Sequence, residues 1–209
     1  MRKLKLWLFK KGWINIHPDA IVHPTAFVHR TSIVYGGVII KEHVQIGAHC
    51  IIGSVAEYPN ERLRCNTQRT LHNKDWVIIE SHTILHGLNT VDAAKVLATV
   101  IQNNCTLMKG AHVGHDCYIQ NNVTLSCGVK VGGFSRVEAY STLGLNSTVH
   151  QKQTVPRGSM LGAGSFFKTD KGRHFKIWVG SPAKPIKPNQ HLIDKLNASS
   201  NSNTDISKG

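Results

Sequence analysis

The most chemically suggestive stretch of this 209-residue chain is His112-Val113-Gly114-His115-Asp116-Cys117. A neutral imidazole, with an unperturbed pKa of about 6.5, removes a proton from a hydroxyl or amine well near neutral pH. An adjacent carboxylate raises that basicity and fixes the ring tautomer where the two side chains meet. Asp116 directly follows His115, and consecutive strand residues face opposite sides, so it orients the ring only if the backbone turns there. If the chain coils with three hexads per turn, His115, Gly133, Gln151 and Thr169 form one column, with neighbours about 4.8 Å apart. A histidine beside a glycine pairs a base with an unobstructed backbone N–H, which can meet a developing oxyanion. His112 and His150 lie off this column and are expected to act through substrate binding. The plainer alternative makes His115 one of thirteen histidines, satisfied by solvent at the surface.

The elements that position these residues follow a six-residue rule. Ile101, Leu107, Val113, Ile119, Leu125, Val131, Val137, Leu143, Val149, Val155, Leu161 and Phe167 stand six apart without a gap. Four residues after each of the first eleven comes a mostly small side chain, from Cys105 and Ala111 through Cys117 to Ser159 and Ser165. Neither the helical period nor strand alternation makes such a grid, so the repeat predicts an all-β parallel β-helix. The aliphatic residue fills the core, and the small one sits where the backbone turns. Ile16, Val22, Val28, Val34, Ile40, Ile46 and Ile52 continue the grid towards the N-terminus.

The grid breaks over residues 53–75. Ile78 and Ile84 are expected to restore the phase, which puts His82 in the small-residue slot. It breaks again over 85–100, which leaves room for a helical turn or a second excursion. The predicted organisation is a basic N-terminal cap at 1–15, a β-helix at 16–187 with excursions at 53–75 and 85–100, and a C-terminal segment at 188–209. That segment holds a short helix at 189–197 and a Ser-, Asn- and Lys-rich end from Ala198 that reads as disordered. The first excursion is long enough to be functional, and is expected to help build an acceptor site over a neighbouring subunit's groove.

Lysine and arginine (25) exceed aspartate and glutamate (12) by 13. Such a balance suits nucleic acid, anionic lipid or a phosphate-bearing small molecule. No nucleic-acid-reading motif is present, so a phosphorylated ligand ranks first. Cys50, Cys105 and Cys117 occupy small-residue slots, where a thiol acts as a small apolar group. An odd cysteine count without a secretory signal points to the reducing cytoplasm. Residues 1–13 are basic and partly apolar; they suit a cap over the open end of the β-helix, or a weak contact with an anionic membrane. The histidine pairs His112/His115 and His82/His86 raise zinc as an alternative. β-Helical carbonic anhydrases, however, use an H-x4-H pair that the coil carrying His115 lacks, so no metal is expected.

Four segments carry a family resemblance: His115-Asp116-Cys117, Leu125-Ser-Cys-Gly-Val-Lys-Val-Gly-Gly133, Leu161-Gly-Ala-Gly-Ser165 and Val179-Gly-Ser-Pro-Ala-Lys184. They resemble the bacterial hexapeptide-repeat sugar acetyltransferases, of the nucleotide-sugar or sialic acid type. Residues 101–151 are also similar to the UDP-N-acetylglucosamine acyltransferase of lipid A synthesis. The resemblance implies a left-handed β-helix, a homotrimer, and acetyl-CoA as co-substrate in a groove between two subunits. It implies a sugar hydroxyl or amine as acceptor, in the synthesis of bacterial surface polysaccharide. His115 would be the general base with Asp116 assisting, and the Gly133 amide would hold the oxyanion. Gln151, Gly162, Ala163 and Lys184 would hold the donor, with Lys184 near its phosphates; His112 and His150 would meet the acceptor. The alternative within the fold is a longer acyl chain delivered by acyl carrier protein; outside that chemistry stand a zinc enzyme and a scaffold. Phe134 replaces a histidine of the lipid A enzyme, and these 209 residues are not expected to form that enzyme's large C-terminal helical domain. Nor are they expected to form the N-terminal βαβ domain of many sugar acetyltransferases, so the acceptor site is expected to be built differently.

Overall fold

One aliphatic residue per hexad can be buried only if the chain coils with three hexads to a turn. The computed structural model, which describes residues 2–12, 14–56, 76–169 and 173–204, has that form. Short strands alternate with tight corners, and outside the two excursions and the terminal hairpin strands pair in parallel with those eighteen residues later, as in His112↔Lys130 and Lys130↔Thr148. Among the described residues the strands stack into three sheets, two of seven strands and one of nine. The first face starts at Ile21–Val22, the second at Phe27–Val28 and the third at Ile33–Val34. All twelve grid residues from Ile101 to Phe167 are buried in one continuous core. Each core residue packs on its equivalents one coil above and below, which is how a solenoid acquires a core with few aromatic residues.

Most small-residue slots are buried too, and most of their polar members bond to the next coil, although the buried Ser147 hydroxyl has no partner among the described residues. Ser135 Oγ donates to the His150 carbonyl at 2.9 Å, and Ser141 Oγ to that of Pro156 at 3.0 Å. Burial pushes the Cys105 thiol up to about 11 and that of Cys117 to about 12, so both stay protonated. They serve as compact fillers, and the Cys117 Sγ–H also reaches the Gly132 carbonyl at 3.1 Å.

Both ends are covered. Helix α1 (Arg2–Lys10) sets Phe9 edge-on against His17, with ring centroids 5.0 Å apart, and against Tyr35 at 5.8 Å. Arg2 pairs with Asp19. At the other end the strand Lys176–Gly180 joins the second face beside Met160–Leu161, and Ala183–Pro188 folds back antiparallel as the last strand. Trp178 is buried against Phe167 at 5.2 Å, and its indole N–H donates to Ser159 Oγ.

Four expectations change. The strand entering the first excursion runs on to Val55, and residues 57–75 of that excursion lie outside the described residues. The grid resumes one position later than expected: Ile79, Leu85 and Val91 are buried, while Ile78 and Ile84 face outward. Thr83, not His82, therefore fills the small-residue slot, and its hydroxyl donates to the Gln102 carbonyl at 2.8 Å. The run of apolar residues in Val77-Ile78-Ile79 and Ile84-Leu85 hides this shift, because either phase puts an aliphatic residue inside.

The second excursion shrinks to residues 94–98. Ile84–Gly87 and Thr90–Ala93 are ordinary strands, and of the two alternatives, a helical turn or an excursion, the chain takes a short excursion with a bend at 95–97. Ile79 pairs with Ile101, so this coil takes twenty-two residues in place of eighteen. The amides of Ala94 and Thr99 both donate to the Trp76 carbonyl at 3.1 Å, which closes the loop at its base. The C-terminal helix α2 (Gln190–Thr204) continues past residue 197, so the expected disorder does not hold for 198–204. Its start is anchored by Asn189, whose side-chain amide donates to the Gly158 carbonyl. Once nucleated, each added residue gains a backbone bond.

Candidate active site

The corner after the third face brings His115 and Asp116 together. Asp116 has the left-handed backbone (φ 56°), which Asp tolerates better than most residues. That turn swings its side chain back to the ring, and Asp116 Oδ2 lies 2.8 Å from His115 Nδ1. Consecutive residues on a straight strand could not meet in this way. The Asp116 carboxylate is fully buried and the imidazole is 13% exposed.

A four-residue insertion supplies the rest of the carboxylate's partners. The backbone amides of Lys95, Val96 and Leu97 donate to it at 2.9, 2.9 and 2.7 Å. Thr99 Oγ1 accepts from the Asp116 amide at 2.8 Å. Burial pushes the Asp116 carboxyl up, but the bonds from His115 and these three amides outweigh it and hold it below the ordinary value. An ionised carboxylate only accepts, so the proton of the shared bond sits on Nδ1 and the lone pair on Nε2.

Nε2 points at the next coil. A methyl group on Gly133 would lie 2.6 Å from it, closer than any side chain allows. Among the described residues the Gly133 N–H has no protein acceptor. The glycines beside it matter in another way: a methyl on Gly114 would meet the Gly133 nitrogen at 2.9 Å, and one on Gly132 the Gln151 nitrogen at 2.7 Å. Side chains are therefore absent from a two-coil stretch beside the imidazole. Phe134 closes one flank, with its ring edge-on to His115 at 4.9 Å.

The binding residues anticipated from sequence divide into two groups. His112 stands on the third face below this gap, with Nδ1 2.7 Å from Thr90 Oγ1 and Nε2 3.8 Å from Asp92 Oδ2. His150 stands above it, packed edge-on against Phe166 at 5.9 Å, with its ring nitrogen 3.0 Å from the Gln151 carbonyl. Gly162 and Ala163, however, follow the second face, and exposed Lys184 lies on the terminal hairpin of that sheet. One chain does not bring them to the His115 corner. Asp92, bonded by Ser54 Oγ at 3.2 Å, and the loop amides of 95–97 were missed from sequence. The length of the coil carrying that loop was the available signal. Among the described residues no group of three or more His, Cys, Asp or Glu side chains could hold a metal ion. No helix there is long and apolar enough to cross a membrane.

Residues 98–133 match the family described as bacterial transferase hexapeptide (six repeats). The match contains His115, Asp116 and Gly133. No curated protein sequence matches the chain. Among solved structures it is similar to the UDP-N-acetylglucosamine acyltransferase of Campylobacter jejuni (19% identity, 86% of this chain and 77% of that one, TM-score 0.63). The Arabidopsis UDP-N-acetylglucosamine acyltransferase gives 17% identity over 87% of this chain and 76% of that one, with a TM-score of 0.68. An N-acyltransferase from Bacillus cereus, solved with dTDP and coenzyme A, gives 14% identity over 62% and 83%, with a TM-score of 0.51. These solved structures share the fold of the chain.

Proposed function

We propose that the protein is an acyltransferase that moves an acetyl group from acetyl-CoA to a hydroxyl or amine of a sugar, with His115 as general base. The observation that carries this reading is the imidazole held at Nδ1 by a buried carboxylate, with Nε2 directed at a glycine of the next coil. Nε2 takes the proton of the acceptor's hydroxyl or amine as the oxygen or nitrogen bonds to the thioester carbon. The carbonyl oxygen becomes an oxyanion beside the Gly133 N–H. Collapse of the tetrahedral intermediate breaks the carbon–sulfur bond and expels the CoA thiolate, which takes the proton back from the imidazolium. The repeat family and a neighbour of the same fold that binds coenzyme A support the donor class.

The separation of Gly162, Ala163 and Lys184 from the His115 corner supports a homotrimer in which these residues line one groove from two subunits. Lys184 then binds the donor's phosphates, Gln151 borders the thioester, and His112 and His150 border the sugar. Bacterial surface polysaccharide is the class of product this reading implies, and the cytoplasm the compartment. One observation favours a second reading, a longer acyl chain delivered by acyl carrier protein: Val96 and Leu97 are exposed on the loop that holds Asp116. The ratio of kcat/KM for acetyl-CoA and for acyl carrier protein thioesters separates the two. The central test is His115→Ala, which should lower kcat by roughly 10²–10⁴-fold with donor affinity nearly unchanged, at a stability cost of about 1–3 kcal/mol for the donor the buried Asp116 carboxylate loses. Retention of more than about a tenth of wild-type kcat, where a base supplies at least 10²-fold, removes His115 from the chemistry.

A further inference from the structure

We propose that the N-terminal end of the β-helix is a docking surface for an anionic lipid bilayer. Helix α1 meets the first coil through Phe9 and leaves large apolar surface exposed on another side. Phe9 faces the first coil through His17 and Tyr35. Leu4 and Trp7, three positions apart and so on one face, lie roughly opposite Phe9 and are 61% and 47% exposed. This helix therefore presents large apolar surface to solvent through these two side chains.

The surroundings extend the same surface. The first coil turns Ile21, Phe27 and Ile33 outward, one on each face, and all three are exposed. Charge is polarised around them: residues 1–35 contain six lysines and arginines against a single aspartate. That aspartate, Asp19, is bonded by Arg2, and Lys3, Lys5, Lys10 and Lys11 are exposed.

Apolar residues ringed by lysines fit an interface in which hydrocarbon lies beneath negative headgroups. Indole side chains favour the headgroup level. Each lysine near such a surface strengthens binding about fivefold at physiological salt. An end-to-end dimer is the poorer occupant, because it would bring two strongly positive ends together. α1 spans nine residues, so the contact is a shallow one lying in the interface.

Sedimentation of the full chain with vesicles tests this. The wild type should bind phosphatidylglycerol–phosphatidylcholine vesicles, bind pure phosphatidylcholine about tenfold or more weakly given the four exposed lysines, and be released by added salt. Leu4→Glu/Trp7→Glu should abolish binding while keeping the wild-type circular dichroism and acyl transfer to a soluble acceptor. If that variant melts early, Lys3→Glu/Lys5→Glu decides, since it leaves the apolar face intact and should still weaken binding and its salt dependence. No binding to the mixed vesicles, equal binding to both kinds, or binding unaffected by either variant overturns the proposal. Loss of the native oligomer in Leu4→Glu/Trp7→Glu also overturns it and assigns the surface to another copy of the chain. The vesicle readout does not depend on the acyl-transfer reading, so either can fail alone.

Discussion

A methyl group at position 133 and one at position 132 would each make a contact under 3 Å, but with different partners. The Gly133→Ala methyl meets the tip of a side chain, His115, which can swing away at the expense of its bond to Asp116. The Gly132→Ala methyl meets the backbone nitrogen of Gln151, which is fixed by the coil. Gly133→Ala should therefore lower kcat by roughly the 10²–10⁴-fold that a general base supplies, at a stability cost of about 1–3 kcal/mol for the donor Asp116 loses. Gly132→Ala should lose a similar amount, about 1–3 kcal/mol, through overpacking but keep the His115–Asp116 bond and most of kcat; thermal melts and kcat measured on both variants check the contrast. Asp116→Asn tests the other side of the ring. The Asp116 carboxyl is held below its unfolded value, so its stabilising effect is full above about pH 4 and is lost as pH falls through the folded value. Asp116→Asn should remove this acid-side dependence from the melting curve, and should lower kcat because Nδ1 loses its charged acceptor. His115 and Gly133 were legible in the sequence as members of one column. The direction of the Asp116 side chain was not, since it depends on one left-handed residue that no periodicity reveals.

At the scale of the element, the loop at 94–98 is an insertion with a single identifiable task. Its ends meet at the Trp76 carbonyl, and three of its amides hold Asp116. Deleting 95–98 would leave this coil with the eighteen residues of its neighbours. The β-helix should still form, while the buried carboxylate would lose three donors, at a cost of about 1–3 kcal/mol for each group left unsatisfied. The expected outcome is a folded, less stable protein with kcat reduced at least tenfold, within the range that a general base supplies. Wild-type kcat in the deletion would make the loop irrelevant to the reaction. The sequence marked this region as irregular but overstated its length, because Leu85 and Val91 obey the grid in a shifted phase. Backbone amides have no residue signature, so only the length of the coil recorded the clamp. The hexads from Ile101 to Phe167 were legible throughout, because each coil there has the same length and the same inward residue.

For the whole molecule, the question is how residues on two different corners come to serve one reaction. In the trimer proposed above, His115 of one subunit faces Lys184 of the next. His115→Ala and Lys184→Glu should each be inactive alone at low donor concentration. Refolded together in equal amounts, they should regain activity, since about a quarter of the interfaces in randomly mixed rings carry both native residues. No recovery in mixed trimers would place both residues in the same subunit's site, or Lys184 outside it. The division between corners follows from the three-sided coil itself: residues six apart in sequence stand on different faces, and only equivalents eighteen apart share one.

A β-helix has no intrinsic length, because the last coil offers the same row of backbone donors and acceptors as every coil inside. The terminal hairpin bears on this. Its outermost strand, Ala183–Pro188, ends the sheet with two prolines, which have no N–H to offer, and with Lys184 and Lys187, which resist stacking on another positive end. Trp178 seals the core just beneath it. The molecule thus carries its own stop against growing into a filament, and the residues that read as a donor-binding tail also decide that the protein stays a discrete particle.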